Sequence, residues 1–289
     1  MVSVEANAKI NLTLDILGVR PDGYHEVEMV MQSVRLFDMI HIKKQTKGIS
    51  LRVDTKALSA DETNLAWQAA RIFMDVYKIQ SGVSISVEKR IPIAAGLAGG
   101  STDAAGVLIG MNQLFETGLS GKALCELGER IGSDVPFCVE GGTMLATGRG
   151  EILRRLPDLP TLYVVLAKPP ISVSTAWAYN TYDRIGAVNH PDTKAMLAAL
   201  SEGNVEKVAF ELVNVLEEVT MREHPIIGEF RRVLMESGAM ASLMSGSGPT
   251  IFGLTNSREK AEKAAQSLSC AYPEAAVFIA PTTGRNKFQ

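Results

Sequence analysis

PIAAGLAGGSTDAAG, residues 92–106, sets Gly96, Gly99 and Gly100 beside Ser101, Thr102 and Asp103, just ahead of a helical pattern and with no lysine. Two familiar phosphate motifs fail on it. GxxxxGK[ST] needs a lysine that is absent, and GxGxxG needs other glycine spacings with a strand directly ahead. A third arrangement needs neither. A helix N-terminus leaves several amides without partners and carries about half a positive charge. Anions settle at such ends, and glycines let them approach the backbone closely. Ser101, Thr102 and Asp103 stand where the helix is expected to begin, as N-caps. Their oxygens are equally suited to ligate a magnesium ion carried in with phosphates. The same residues would also serve as a tight turn between a strand and a packed helix. The proline, the glycines and the hydroxyl pair together favour a phosphate cradle.

Outward from the loop, Ala104, Val107, Leu108, Met111, Leu114 and Phe115 recur at helical spacing and predict an amphipathic helix. A short helix is expected from Ser120 to Ile131 and a strand over 142–148. Upstream, Ile10, Leu12, Leu14 and Ile16 alternate with Lys9, Asn11, Thr13 and Asp15, which predicts a half-buried strand. Residues 38–44, 49–53 and 83–89 repeat that alternation, and 64–78 has helical spacing. Beyond a change of character near residue 157, a strand is expected within 158–172. Helices are expected over 192–202, 204–219, 225–237 and 257–268, and strands over 240–244, 250–254 and 276–280. Strands and helices mix without a strict βαβ rhythm, so the expected class is α+β, in two domains, 1–157 and 158–289.

The chain has 289 residues and a net charge of −3, so the bulk positive charge of a nucleic-acid binder is absent. No run approaches the ~18 apolar residues of a membrane span. The start, MVSVEANAKINL, has no basic-then-apolar leader. Cys125, Cys138 and Cys270 are few and far apart, and they read as buried reduced thiols of a cytoplasmic protein rather than a zinc or disulfide framework. Oligomeric state leaves no mark on the sequence.

PIAAGLAGGSTDAAG resembles the P-x-x-x-G-L-x-S-S-A-type loop of the GHMP kinases, with Gly99 and Gly100 in place of the first serine region and Ser101–Thr102 as the hydroxyl pair. That resemblance implies ATP and Mg2+ as cofactors. It also implies a two-domain fold: an N-terminal ribosomal-protein-S5-domain-2-like unit and a C-terminal ferredoxin-like α/β sandwich. The phosphates would lie on Pro92, Ile93, Ala94, Ala95, Gly96, Leu97, Ala98, Gly99, Gly100, Ser101 and Thr102.

AKINLTL (8–14), GVRPDGYHEV (18–27), IGSDVPFCVEGGTMLATGRGE (131–151) and LMSGSGPTIFGL (243–254) are similar to one branch of that family. The branch phosphorylates the 2-hydroxyl of a cytidine diphosphate-linked branched polyol in the non-mevalonate route to isoprenoids. Other readings are a GHMP kinase of another small alcohol, such as homoserine or mevalonate, or an inactive nucleotide-binding module on the same fold.

Each residue also has a plainer reading. Asp134 alone reads as a turn or N-cap aspartate, and the resemblance implies that it takes the proton from the attacking hydroxyl. Lys9 alone reads as a charge on a solvated strand face, and the resemblance implies that it pairs with Asp134 and with the moving phosphoryl charge. Asn11 shares its face and becomes a substrate contact. Tyr24 and His25 lie in a turn-rich loop. The resemblance assigns the ring to stacking on cytosine and the imidazole to the base edge, with Tyr179 closing the other side. Asn64 and Leu65 open a helix and are expected to edge the adenine pocket, although Asn64 is equally a plain cap. Lys89 either reaches the nucleotide or ends a solvated strand.

Overall fold

The computed structural model describes residues 1–286. Along the first half run β1 (Val2–Val19), β2 (His25–Gln45), β3 (Ile49–Val53), α1 (Leu65–Tyr77), β4 (Gly82–Glu88), α2 (Gly99–Phe115), α3 (Gly121–Glu129), α4 (Val135–Glu140), β5 (Thr143–Thr147) and β6 (Ile152–Arg155). There follow β7 (Tyr163–Lys168), α5 (Thr175–Ile185), α6 (Thr193–Ser201), α7 (Val205–Phe210), β8 (Val213–Asn214) and α8 (Val215–Glu223). The last elements are α9 (Ile226–Glu236), β9 (Ala241–Met244), β10 (Ile251–Thr255), α10 (Arg258–Ala271) and β11 (Ala276–Pro281).

The first sheet has seven strands in the order β3-β4-β2-β1-β8, with β5 pairing β2 and β6. The second has four in the order β11-β7-β10-β9, all pairs antiparallel. Its chain order strand–helices–strand–strand–helix–strand gives the ferredoxin-like sandwich that the resemblance implied. No helix among the described residues is long and apolar enough to cross a membrane.

Between β1 and β2 the register shifts at Asn7/Ala8 and again at Asn11/Thr13. A one-residue slip exchanges the faces of a strand. Ala8, Ile10 and Leu12 therefore join a core with Leu166, Phe252 and Leu254 of the second sheet. Ala6, Leu14 and Ile16 join the other core, with Phe73 of α1 and Val107 of α2. The expected solvated face does not exist, because Lys9, Asn11, Thr13 and Asp15 are all buried. β2 also begins earlier than expected, at His25, after a turn in which the Arg20 amide donates to the Tyr24 carbonyl at 2.7 Å.

α2 differs from its sequence reading in two ways. It is buried on all sides from Thr102 to Met111, as a central helix must be, rather than amphipathic. It also starts at Gly99, with Ala98 as the N-cap in the left-handed region, so Ser101, Thr102 and Asp103 lie inside the first turns and cap nothing. Gly106 and Gly110 let it lie close on β1 and β2. A Cβ on Gly106 would stand 2.8 Å from Ile40 Cγ1, and one on Gly110 would stand 2.7 Å from Ile42 Cδ1.

Other departures are local. The helix expected over 204–219 is broken at 211–214, where β8 pairs with β1 and Asn214 caps α8. α4, β6 and α5 were not anticipated. The cysteines are free, but only Cys138 is buried, while Cys125 is half-buried and Cys270 exposed.

Gly106→Val should destabilise the fold by about 1–3 kcal/mol through overpacking, read as a lower urea midpoint. An unchanged midpoint would contradict the tight seat of α2.

Candidate active site

One cleft of about 910 Å³ gathers most of the candidate residues. The loop forms one wall, through Pro92, Ile93, Ala94, Ala95, Gly96, Ala98, Gly99, Gly100 and Ser101. The first helical hydrogen bond of α2 runs from the Thr102 amide to Ala98 O at 2.8 Å, so the amides of Gly99, Gly100 and Ser101 precede the ladder. The glycines have different reasons to be bare. Gly96 has φ +71°, and a Cβ there would fall 2.1 Å from the Ser245 carbonyl, so the protein itself excludes a side chain. A Cβ on Gly100 would merely touch Leu65 at 3.5 Å. Its bareness leaves space for something outside the fold.

A second glycine turn, Gly246–Ser247–Gly248, also lines the cleft and packs directly against this loop at Gly96. The Ser245 hydroxyl ties the two together by donating to Gly96 O at 2.9 Å.

Lys9 enters from β1. Its ammonium donates to Asn11 Oδ1 at 2.6 Å and lies 4.0 Å from Asp134 Oδ2. Its own amide donates to the Leu97 carbonyl at 3.3 Å, which joins the strand to the loop. Asp134 occupies the N-cap position of α4 but makes no side-chain capping bond, and its side chain is 32% exposed. A carboxylate in that position ordinarily spends an oxygen on the helix amides. Here both oxygens are left to Lys9 and the cleft.

Beyond Asp134 lies an aromatic corner. Tyr179 on α5 is half-buried, and desolvation, with the Asp134 charge in second place, pushes its phenol well above the ordinary range. The Tyr179 and His25 rings are 4.8 Å apart and tilted by 44°. His25 Nε2 pairs with Asp183 at 2.8 Å. Tyr24 is exposed, and the Arg149 guanidinium sits 5.1 Å from its ring centre.

Five candidates stand elsewhere or are otherwise engaged. Leu97 is a core residue. Thr102 is buried, and its hydroxyl donates to the Asn7 carbonyl at 3.2 Å, so it faces away from the cleft and cannot ligate an ion there. Asn11 is fully buried and acts on Lys9 rather than lining the cleft. Asn64 is the plain cap of α1, accepting from the Ala66 amide at 3.0 Å, and only Leu65 of that pair lines the cleft. Lys89 borders the cleft, yet its ammonium is held by Asp38 at 2.5 Å and Asp103 at 2.7 Å. It is neither solvated nor free for a nucleotide. Burial opposes its charge, but the two carboxylates outweigh burial and its pKa is raised. Burial raises Asp103 as well, with Lys89 offsetting part of the rise.

Sequence reasoning missed Arg149, Asp183, Asp38 and Asp103 as partners. The pairs they form span 14 to 158 residues of chain, and no local spacing announces them.

Phosphoryl transfer asks a protein for placement and charge rather than covalent help, and the cleft offers both, which marks the protein as a small-molecule kinase. The family description "GHMP kinases N terminal domain" matches residues 64–142 and "GHMP kinases C terminal" matches 190–274. The chain is 48% identical to a 4-diphosphocytidyl-2-C-methyl-D-erythritol kinase of Synechococcus sp. (strain JA-3-3Ab), covering 96% of this chain and 93% of that protein. It is 45% identical to one of Acetivibrio thermocellus, covering 90% and 92%. A crystal structure of 4-(cytidine 5'-diphospho)-2C-methyl-D-erythritol kinase superposes with TM-score 0.83 at 31% identity, over 98% of this chain and all of that one. A homoserine kinase from Cytophaga hutchinsonii shares the fold at TM-score 0.76 and 20% identity, over 99% of this chain and 96% of that one. The chain belongs to the GHMP kinase family and is an ATP-dependent kinase of a small molecule.

Gly96→Ala should displace the loop, because the new methyl meets both a positive φ and the Ser245 carbonyl. ATP affinity should fall by about tenfold or more, the equivalent of ~1.4 kcal/mol, in a calorimetric titration. Unchanged affinity would dissociate the loop from the nucleotide.

Proposed function

We propose that the chain transfers the γ-phosphoryl group of ATP to the 2-hydroxyl of 4-(cytidine 5'-diphospho)-2-C-methyl-D-erythritol, a step toward isoprenoid precursors by the non-mevalonate route. The observation that carries this reading is the Lys9–Asp134 pair, 4.0 Å apart, standing between the bare loop and the aromatic corner. Lys9 touches the loop through Leu97. Asp134, Tyr179 and His25 line the same cleft, and the Tyr179 and His25 rings pack together at a tilt.

On this reading the triphosphate lies against the amides of Gly99, Gly100 and Ser101. Mg2+ arrives with the phosphates as part of the substrate. Among the described residues no group of three or more His, Cys, Asp or Glu could hold a metal ion; Ser101, which lines the cleft, would offer its hydroxyl to Mg2+ alongside the phosphate oxygens, and the ion would offset phosphate charge. Asp134 takes the proton of the 2-hydroxyl as its oxygen bonds to the γ-phosphorus. The bond to the β,γ-bridging oxygen breaks and ADP leaves with that electron pair. Lys9 orients Asp134 and the hydroxyl, and it offsets charge on the transferring group. Tyr24 and Tyr179 hold the cytosine by its faces, and His25, fixed by Asp183, addresses its edge. The proposed setting is the cytoplasm, where the three free cysteines stay reduced.

An assay with ATP and a panel of alcohols tests the substrate. The cytidine diphosphate polyol should be phosphorylated in preference to homoserine and mevalonate, and transfer to either of those alone would refute the assignment. Nucleotide binding with no transfer to any alcohol would make the chain a binding module.

Asp134→Asn should leave ATP affinity nearly intact and lower kcat by about 10²–10⁴, the range for loss of a general base. Normal turnover would remove that role. Tyr24→Ala should raise KM for the polyol, since base–aromatic stacking is worth ~1–3 kcal/mol, and leave that for ATP unchanged. Equal weakening of both would count against stacking.

A further inference from the structure

Asn214 lies outside the cleft wall but is bonded to the turn that forms it. It pairs on β8 with Leu14 of β1, itself a cleft residue. Its side chain is buried and every polar atom has a partner. Oδ1 accepts the Leu216 amide at 3.0 Å and so caps α8. Nδ2 donates to the Met244 and Gly246 carbonyls, both at 2.8 Å. These carbonyls flank Ser245, where β9 runs out into the second glycine turn.

That turn bears on the site in two places. Ser245 donates to Gly96 O of the nucleotide loop at 2.9 Å. Gly246 lies so close to Lys9 that a Cβ there would stand 3.3 Å from the ammonium nitrogen. A shift of the turn therefore moves the loop, the lysine or both. An aspartate, serine or threonine would cap α8 as well as asparagine does. Only a primary amide caps with its oxygen while donating both N–H groups, and here both are aimed at the turn.

We propose that Asn214 is a positioning residue for phosphoryl transfer, its two donated hydrogen bonds holding the Ser245–Gly248 turn so that Lys9 faces Asp134 and the loop keeps its shape. This inference rests on the kinase reading of the cleft and adds to it a residue that touches neither substrate.

The test uses Asn214→Ser in the full chain, which retains a capping oxygen and removes both donations. Two readouts are taken. Turnover per folded molecule at saturating ATP and polyol should fall about 10- to 100-fold, as expected for a small misplacement of reacting groups, while KM for each substrate changes little. Hydrogen exchange should speed up in peptides covering 243–250 and 92–98 and nowhere else. If Asn214 were a structural cap alone, Asn214→Ser, which keeps the cap, would leave both readouts unchanged, so turnover within about twofold of wild type, or exchange unchanged in both peptides, overturns the proposal. Should Asn214→Ser not fold, Asn214→Asp carries the same test, since it preserves both volume and cap but turns a carboxylate toward two carbonyls. If the wild-type protein fails to phosphorylate the polyol, the substrate assignment falls, and the exchange readout still decides the role of Asn214.

Discussion

The fold has to bury the ammonium of Lys9 and leave it usable. Its side chain is only 6% exposed, and stripping water from an ammonium costs several kcal/mol even after relaxation. The compensation comes from three separate places. Asn11, two residues along the same strand, offers its carbonyl oxygen. Asp134 offers a carboxylate that its helix does not use. The Gly246 turn stays bare, so the nitrogen keeps one open flank. The Asn11 contact needs only a regular strand, in which residues two apart share a face. The register shift at Asn11/Thr13, which lies between them, lets Lys9 and Leu14, an odd and an even position, line the same cleft.

Lys89 shows the opposite outcome at a similar depth. It too is 6% exposed, but two carboxylates grip it, one from β2 and one from α2. A buried ammonium between two aspartates is a structural clamp. It ties the end of β4 to the first turns of α2, and Asp38 also accepts the Arg90 and Ile91 amides at 2.5 and 2.8 Å. The loop that follows is therefore anchored before it reaches Pro92. The two lysines differ in charge balance. Lys89 has two opposite charges within reach, whereas Lys9 has one at 4.0 Å and a neutral oxygen. Only Lys9 has capacity left for an incoming anion.

What could be read in the sequence follows from which forces are local. Helical spacing placed α1, α3, α9 and α10, and alternation placed β3 and β4, because those elements bury one face. α2 was misjudged as amphipathic because glycine is silent on a hydropathy scale, although Gly106 and Gly110 are what admit the helix to the interior. β1 was given a solvated face because a bulge leaves no trace in composition. The break at 211–214 was missed because Asn214 reads as an ordinary helical residue until β1 and the Ser245 turn are beside it. At the site, the loop was legible from its glycines, and the contact between Lys9 and Asp134 came only from resemblance. The clamp on Lys89 was not legible at all, since Asp38 lies 51 residues away.

The absence of lysine from residues 92–106 then has a physical reading. On the proposed mechanism, loop amides grip phosphate equally well before and during transfer. Such uniform binding holds the nucleotide without hastening the reaction. A lysine in the same loop would add to that uniform grip. On the proposed mechanism, a lysine brought from β1 stands instead beside the carboxylate that receives the proton, where charge changes as the phosphoryl group moves. Its interaction can then grow in the transition state, and this is the only kind of interaction that raises kcat. On that mechanism the bare loop and the buried Lys9 divide holding from accelerating. The division works only while the Ser245–Gly96 bond keeps the two glycine turns at a fixed distance from the strand that carries Lys9.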